Sequence, residues 1–214
     1  MEIVVVGANG KIGKILVQLL KESNEHTVKA MIRNENQKEY FDSIGVKTVL
    51  ADLEGTVDQI AEAIKGAEGI VFTAGSGGHT GADKTLLVDL DGAVKTIEAA
   101  EKTGVQRFIM VSALQAHNRQ NWNEKIKHYY VAKHYADRFL VQSRLNYTIV
   151  RPGALLDEKG TGEIKIAENL ERAAIPREDV ASVIFASITE KNTFRRSFDL
   201  VSGNTPIREA LKNF

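Results

Sequence analysis

The sequence predicts an α/β fold, a doubly wound parallel sheet with helices on both faces, built as a single domain over residues 1–214. Two observations support this prediction. Short apolar runs of strand length alternate with amphipathic segments of helical period along most of the chain, which is typical of repeated β-α-β units. The first run, residues 3–6, reads Ile-Val-Val-Val without polar alternation, as expected for a strand buried on both faces of a parallel sheet.

Strands and helices are predicted in turn from the N-terminus. Gly45 and Gly104 indicate where the second and fourth helices end. Glycine readily adopts the left-handed conformation that often follows the last residue of a helix. Arg151-Pro152-Gly153 breaks the chain, and the alternation weakens beyond it, so residues 151–214 are expected to form mainly a small substrate-side lobe. The predicted strands cover residues 3–6, 27–32, 48–51, 69–72, 107–111, 147–150, 163–166 and 197–201, and the predicted helices cover 11–22, 35–44, 57–64, 83–103, 128–143, about 178–188 and a stretch after 206.

The overall composition argues against several classes of protein. The 28 basic and 28 acidic residues give a net charge of zero and are spread along the chain, so no nucleic-acid partner is expected. Cysteine is absent, which excludes disulfides and is compatible with a reducing compartment. The first apolar run is too short for a signal peptide, and no stretch approaches the roughly 20 apolar residues of a membrane span. We expect a cytoplasmic monomer or homodimer whose partner is a small-molecule substrate, not a membrane.

A glycine-rich loop, Gly7-Ala8-Asn9-Gly10-Lys11-Ile12-Gly13, follows the first strand and opens the first helix. One glycine permits the tight turn, one lets the backbone approach a pyrophosphate, and one lets helix and strand pack closely. The helix N-terminus adds free N–H groups and partial positive charge. In this strand–loop–helix context the motif predicts a Rossmann-type dinucleotide site rather than a structural turn. Its expected contacts are Gly7, Asn9, Gly10, Lys11, Ile12 and Gly13.

The end of the second strand predicts which dinucleotide binds. An acidic residue there would bind the ribose 2′-hydroxyl of NAD, but this strand ends in Arg33, 20 residues after Gly13. An arginine can hold a 2′-phosphate with two hydrogen bonds and stack on adenine. Lys11 could add a second positive charge. Both residues favour NADP(H) over NAD(H), and the alternative is that Arg33 is a solvated residue at a strand end.

Two further loops are predicted to contact the cofactor. Asp52 follows the third strand and could accept a hydrogen bond from the adenine amino group, with Leu53 against the ring, although a turn-capping aspartate is nearly as plausible. Ala74 and Gly75 follow the fourth strand, where small residues leave room for the ribose and diphosphate.

Tyr129 and Lys133 are the candidate catalytic pair. They lie four residues apart on a predicted helix and therefore share one face. A lysine ammonium at that distance can lower the phenol pKa and hold a nicotinamide ribose, so that the phenol exchanges a proton with a carbonyl or alcohol. Ser112, at the end of the fifth strand, could orient the substrate oxygen. The alternative is a chance pairing, because this spacing is common on amphipathic helices.

No metal site is predicted. His79, His117, His128 and His134 have no carboxylate or cysteine partners at the spacing of a metal-ligand set. Trp122, in a polar segment before the candidate catalytic helix, is either a wall of the substrate pocket or a surface anchor.

In this order, the motifs resemble the short-chain dehydrogenase/reductase superfamily. The resemblance is closest to its atypical branch of small NAD(P)-binding proteins, called NAD-dependent epimerase-like or NmrA-like. The glycine loop and residues 147–153, Tyr-Thr-Ile-Val-Arg-Pro-Gly, are its most specific parts. It covers nearly the whole chain and is weakest after Gly162.

The resemblance implies a Rossmann fold with an NADP(H) site at the carboxyl ends of the strands. It also implies that the Arg-Pro-Gly turn lies beside the nicotinamide, which makes Pro152 and Gly153 cofactor contacts. By the same resemblance Lys133 binds the ribose and Tyr129 is the acid/base. The serine-rich segment of fully equipped dehydrogenases is reduced here to Ser112, followed by Ala113 and Leu114.

The sequence therefore predicts an NADP(H)-dependent oxidoreductase acting on a small carbonyl, alcohol, quinone or flavin-like substrate. One alternative is a dinucleotide-binding sensor or regulatory protein with little turnover. Another is a sugar-nucleotide epimerase, which is less favoured because 214 residues leave little room for a larger substrate domain.

Overall fold

The computed structural model of the chain describes residues 1–78 and 80–214, and His79 lies outside the described residues. Within this part of the chain, eleven strands and eight α-helices are named here in chain order. The strands are β1 Glu2–Val6, β2 Thr27–Ile32, β3 Lys47–Leu50, β4 Gly69–Phe72, β5 Arg107–Val111, β6 Asn146–Pro152, β7 Ala154–Leu156, β8 Glu163–Ala167, β9 Ala174–Pro176, β10 Arg196–Ser202 and β11 Thr205–Pro206. The helices are α1 Lys11–Ser23, α2 Lys38–Ser43, α3 Val57–Ala63, α4 Ala82–Lys84, α5 Ala93–Thr103, α6 Lys127–Gln142, α7 Arg177–Ser187 and α8 Ile207–Lys212.

The central sheet confirms the predicted α/β architecture. Its strand order is β11-β8-β10-β6-β5-β4-β1-β2-β3, and β1 pairs in parallel with both β2 and β4. The chain moves outward through β2 and β3 and then returns to β4 on the other side of β1. Ligands of such sheets bind at this reversal, outside the carboxyl ends of the strands.

Both faces of the sheet are covered, because alternate residues of β1 enter different cores. Ile3 and Val5 belong to an apolar cluster that includes residues of α1 and α7. Val4 and Val6 belong to a second cluster, with residues of α3, α5 and α6. The unbroken apolar run of the first strand is therefore explained by burial on two sides.

The sheet is not parallel throughout, which corrects one detail of the prediction. β8 pairs antiparallel with β10 and with β11. Its buried Ile164 stands between exposed Glu163 and Lys165, so only one of its faces enters the core, as antiparallel strands permit. A separate parallel pair, β7 and β9, was also not predicted, because three-residue strands carry no measurable period.

The long helix predicted over residues 83–103 is present, but a π-helical segment, Thr85–Gly92, joins α4 to α5. Such segments contain wider turns than an α-helix and are frequent at functional sites. The segment buries Thr85, Asp89 and Gly92. In the described part of the chain, no helix is long and apolar enough to cross a membrane.

Candidate active site

A cleft of about 930 Å³ opens at the carboxyl edge of the sheet. The glycine loop, the segments after β4 and β5, and the end of β6 all contribute to its lining. The N-terminal part of α6 closes one side, and residues 172–173 add to the wall. The cleft therefore lies at the reversal of strand order, where the sequence predicts the dinucleotide.

The glycine loop has no room for side chains at two of its positions. Gly7 has a φ of +81°, and a Cβ atom there would lie 2.5 Å from the backbone nitrogen of Ala74. A Cβ atom on Gly13 would lie 2.4 Å from the carbonyl oxygen of Gly7. These contacts show why the sequence has glycine at both positions: the loop packs directly on the first helix and on the segment after β4.

The N-terminus of α1 has neither a capping side chain nor an acidic residue in its first turn. Gly10 is the extended residue before the helix. The first N–H groups of a helix have no partner within the helix, so they remain free for phosphate oxygens. Gly10, Lys11 and Ile12 line the cleft at this end.

Lys133 and Asp89 form a buried ion pair at the base of the cleft. Lys133 Nζ lies 3.2 Å from Asp89 Oδ1 and donates to the Val111 carbonyl oxygen at 3.3 Å. Asp89 Oδ2 accepts from the backbone N–H of Ser76 at 3.0 Å. Burial alone would lower the pKa of Lys133, but Tyr129 and Asp89 reverse this and raise it, so the ammonium stays charged at neutral pH.

The phenol of Tyr129 lies beside this pair, with its ring centroid 5.7 Å from Lys133 Nζ. Burial raises the pKa of Tyr129 above its ordinary value, and the positive charge of Lys133 opposes this rise without cancelling it. Lys133 does act to lower the phenol pKa, as expected, but desolvation is the larger effect and the net shift of the pKa is upward. Tyr129 is therefore protonated at neutral pH.

Ser112 completes the group of candidate catalytic residues. Its side chain is buried and lines the cleft, yet its Oγ atom has no hydrogen-bond partner among the described residues. A buried hydroxyl without a partner costs free energy, so this orphaned atom indicates a place where a ligand oxygen belongs.

The model of the NAD(P)H-binding family matches residues 7–191. The chain belongs to this family. Its similarity to the uncharacterized sugar epimerase YhfK of Bacillus subtilis (strain 168) is 58% identity over 212 residues, covering 99% of both chains. The match therefore extends over both the glycine loop and the candidate catalytic residues.

Solved structures of related proteins have the same fold as this NAD(P)H-binding protein. The oxidoreductase ylbE from Lactococcus lactis has a TM-score of 0.91 at 34% identity, covering 100% of this chain and 96% of that one. The anaerobillin reductase ChuY from Escherichia coli O157:H7 has a TM-score of 0.80 at 25% identity, covering 94% and 97%. These findings confirm the resemblance to the atypical branch that the motifs predict.

Arg33, the first predicted determinant of NADP preference, is not among the residues that line the main cleft. Arg33 is exposed directly after β2, and its backbone N–H donates to Gln37 Oε1 at 2.9 Å. A cavity of about 590 Å³ opens beside it, lined by Asn9, Asn34 and Lys14 among others. The ammonium of Lys14 lies 4.4 Å from the centroid of the Tyr40 ring. Lys14 is a cation that sequence reasoning missed, although it follows the glycine loop by one residue.

Lys11 points in another direction. Its Nζ atom pairs with Asp157 Oδ2 at 2.5 Å, and the other oxygen of Asp157 accepts from Arg177 at 2.6 Å. The three side chains connect the glycine loop with the end of β7 and the start of α7. Lys11 lines the main cleft and not the cavity beside Asn34, so its predicted contact with a 2′-phosphate requires this pair to open.

Asp52 and Leu53 are held by local contacts. Asp52 Oδ1 accepts from the backbone N–H of Glu54 at 3.0 Å, which is the turn-capping interpretation. Leu53 is buried, and a Cβ atom on Gly92 would lie 3.0 Å from the Leu53 Cβ. Their contact with adenine stays a prediction. Ala74 and Gly75 do line the cleft, as expected for small residues at a strand end.

The Arg-Pro-Gly turn lies at the end of β6, at the cleft. Pro152 and Gly153 line the cleft, and a Cβ atom on Gly153 would lie 2.1 Å from the carbonyl oxygen of Ala173. Arg151 is buried and anchors the turn, because its Nε donates to Asp137 Oδ2 at 2.8 Å. The cofactor contacts of Pro152 and Gly153 stay predictions.

Trp122 supports the wall of the cleft from behind. It stacks on Tyr130 with ring centroids 6.1 Å apart, and its indole N–H donates to the carbonyl oxygen of Ala116 at 3.1 Å. His134 Nδ1 contacts the same carbonyl at 2.9 Å. Within residues 1–78 and 80–214, no three histidine, cysteine or acidic side chains cluster as a metal site.

Proposed function

We propose that this protein is an NADP(H)-dependent oxidoreductase that transfers hydride between the nicotinamide and a small carbonyl, quinone or flavin-like substrate. The observation that supports it best is one cleft lined by the glycine loop, Tyr129, Lys133 and Ser112. The named reductase and oxidoreductase among its structural neighbours favour the same class of reaction.

The residues at the site fit a dinucleotide. Gly7 and Gly13 have no side chains to block a pyrophosphate that approaches the backbone. The first turn of α1 contains no carboxylate that would compete with the phosphates for its N–H groups. The orphaned Ser112 Oγ needs an oxygen or nitrogen partner inside the cleft. Lys133 keeps its charge in a buried position, as binding of ribose hydroxyls by an ammonium requires.

The bound dinucleotide supplies or accepts the hydride. In the reductive direction Tyr129 donates its phenolic proton to the substrate oxygen as negative charge develops there. Ser112 Oγ donates a hydrogen bond to the same oxygen and fixes its position. Lys133 holds the ribose and stabilises the phenolate that remains. Asp89 holds Lys133 in place and was not predicted, although a carboxylate within the apolar run Leu86–Leu90 was a usable signal.

The test of the proposed function is NADPH oxidation, followed spectrophotometrically, with a panel of ketones, aldehydes, quinones and flavins. Turnover of at least one member supports the proposal. Tight NADPH binding without oxidation across the panel would instead indicate the sensor or regulatory alternative.

We expect Arg33→Ala to lose most of the discrimination between NADP⁺ and NAD⁺. Charge-assisted hydrogen bonds to the 2′-phosphate contribute roughly 1–3 kcal/mol, so the variant should bind NADP⁺ about 5- to 150-fold more weakly and NAD⁺ almost unchanged. Isothermal titration calorimetry measures both affinities. Arg208→Ala removes an exposed arginine from α8 and is the matched control. A wild-type preference for NAD⁺ would show that the argument from Arg33 is wrong.

The pH dependence follows from the raised pKa of Tyr129. The protonated phenol is the form that donates, so the rate of reduction should stay level from about pH 7 to about pH 9. It should fall only as the pH rises through a value above the ordinary phenol pKa of about 10. The oxidative direction needs the phenolate and should rise with pH instead. A loss of reductive rate below pH 9 that tracks Tyr129 would contradict the raised pKa.

The name of the Bacillus subtilis relative, an uncharacterized sugar epimerase, favours a second candidate, an epimerase, for which the sequence suggests a sugar nucleotide as substrate. In that case the dinucleotide would be reduced and reoxidised within one turnover, and no net oxidation of NADPH would be seen. Incubation with uridine-diphosphate sugars, followed by chromatographic separation of epimers, distinguishes this candidate from a reductase.

A further inference from the structure

Arg172 lines the cleft but plays no part in the mechanism described above. Its Nη1 donates to the phenolic oxygen of Tyr130 at 2.8 Å, and its Nη2 donates to the carbonyl oxygen of Asn121. Both acceptors are neutral. A guanidinium has five N–H groups, so this arrangement fixes its plane and leaves further donors for a ligand.

Among the described residues, no acidic side chain neutralises the positive charge of Arg172 in the cleft. Among the described residues that line the cleft, the acidic side chain is Asp89. Asp157 is not itself a lining residue but contacts two of them, and both carboxylates are already paired. Asp89 pairs with Lys133, and Asp157 pairs with Lys11 and with a second arginine at the start of α7. Within residues 1–78 and 80–214, Arg172 has no carboxylate partner. A pre-positioned, exposed guanidinium without a counter-ion is the arrangement that binds an anion.

Arg172 contacts Tyr130, which is the neighbour in sequence of the candidate proton donor Tyr129. Its guanidinium carbon is 5.5 Å from the Tyr130 ring centroid, and the Tyr130 and Tyr129 rings are 6.0 Å apart. The next residue, Ala173, accepts from the backbone N–H of Ala154, just beyond the Arg-Pro-Gly turn. These contacts are with α6 and the segment before it, whereas pyrophosphate is expected at the start of α1. An anion bound by Arg172 would therefore belong to the substrate and not to the pyrophosphate of the cofactor.

We propose that the substrate carries a carboxylate, which binds Arg172 while the reducible group lies at Tyr129 and Ser112. The planar guanidinium matches a planar carboxylate with two parallel hydrogen bonds. Lys125 also lines the cleft and adds a second positive charge. This inference rests on the proposed function for the reducible group, and on the geometry of Arg172 alone for the carboxylate.

The test uses pairs of aromatic compounds in which a carboxylate is replaced by a neutral amide, and the first pair are ketones. Binding of 4-acetylbenzoate and of 4-acetylbenzamide to the NADPH-saturated protein is measured by calorimetry, with 2-naphthoate and 2-naphthamide as a second pair. We expect each acid to bind about tenfold or more tightly than its amide, because a bidentate charge-assisted contact is lost with the charge. Arg172→Gln should abolish this difference and change amide binding less than about twofold.

Two control variants keep the result interpretable. Arg172→Lys retains the charge but not the planar fork, so it should recover only part of the acid preference. Arg208→Gln should retain all of it. Thermal melting of each variant verifies folding, which an exposed side chain is not expected to disturb.

Three outcomes would overturn the inference: equal affinities of acid and amide in the wild type, equal losses of both in Arg172→Gln, or no binding by either acid. These are binding measurements, so their outcome is separate from that of the proposed function. If only neutral ketones oxidised NADPH, the proposed reductase function would stand and the proposed substrate carboxylate would be refuted. If the acids bound selectively but no NADPH was oxidised, the proposed anion site at Arg172 would stand and the proposed reductase function would be refuted.

Discussion

Tyr129→Phe is expected to lower kcat for carbonyl reduction by about 10²- to 10⁴-fold, the usual contribution of a positioned general acid. The substitution removes one oxygen atom from a phenol that burial keeps protonated beside Lys133. The dissociation constant of NADPH should change little, because the expected ribose contact belongs to Lys133. Single-turnover oxidation of NADPH, with binding measured separately by fluorescence, distinguishes the two effects.

Tyr135→Phe is the matched control for this experiment. Tyr135 lies on the same helix, α6, but it is exposed and its hydroxyl accepts from Arg119 at 3.1 Å. Its turnover should equal that of the wild type. If Tyr129→Phe also retained full turnover, the tyrosine would not be the acid, although hydride transfer itself would remain possible.

Gly7→Ala should lower both the stability of the protein and its affinity for the dinucleotide. The new Cβ atom would lie 2.5 Å from the backbone nitrogen of Ala74, and neither backbone can move aside cheaply. The free energy of unfolding should fall by about 1–2 kcal/mol from the left-handed conformation alone. Overpacking should add about 1–3 kcal/mol. Displacement of the loop from the phosphates should weaken NADPH binding by about tenfold or more, which corresponds to about 1.4 kcal/mol.

Gly104→Ala separates backbone strain from the steric contact. Gly104 has a φ of +78°, close to that of Gly7, but a Cβ atom there would meet nothing within 4 Å. It follows α5 at the opposite edge of the sheet. This variant should lose the same 1–2 kcal/mol of stability, as estimated for a left-handed residue, and retain NADPH binding. Urea denaturation and calorimetry measure the two quantities. Equal effects of both variants on binding would contradict the role of the contact with Ala74.

Local patterns were sufficient to predict most of the fold. The unbroken apolar run of β1 and the glycines after it give both the parallel sheet and the position of the loop, because each requirement involves residues close in sequence. The antiparallel β8 could not be predicted in this way. Its pairing depends on contacts with β10, about thirty residues further along the chain, and a single strand carries no signal of its partner's direction.

The candidate site was predicted only in part for the same reason. Tyr129 and Lys133 share a helical face, so their spacing alone indicates a pair. Asp89 reaches Lys133 from a different helix, and Arg172 reaches Tyr130 from a loop 42 residues away, so only the fold reveals either contact. The net pKa of Tyr129 was also beyond sequence reasoning, because it depends on how completely the cleft excludes water.

The π-helical segment Thr85–Gly92 has a consequence for how this chain tolerates insertions and deletions. If the segment became regular α-helix at unchanged length, everything beyond it would rotate, because an α-helix turns by about 100° per residue and the wider π-turn by less. Either Asp89 would turn away from Lys133, or the apolar face of α5 would turn away from the sheet. The wider turn therefore lets Asp89 face Lys133 while the apolar face of α5 packs on the sheet. The length of this segment should consequently vary less than the identity of its exposed residues.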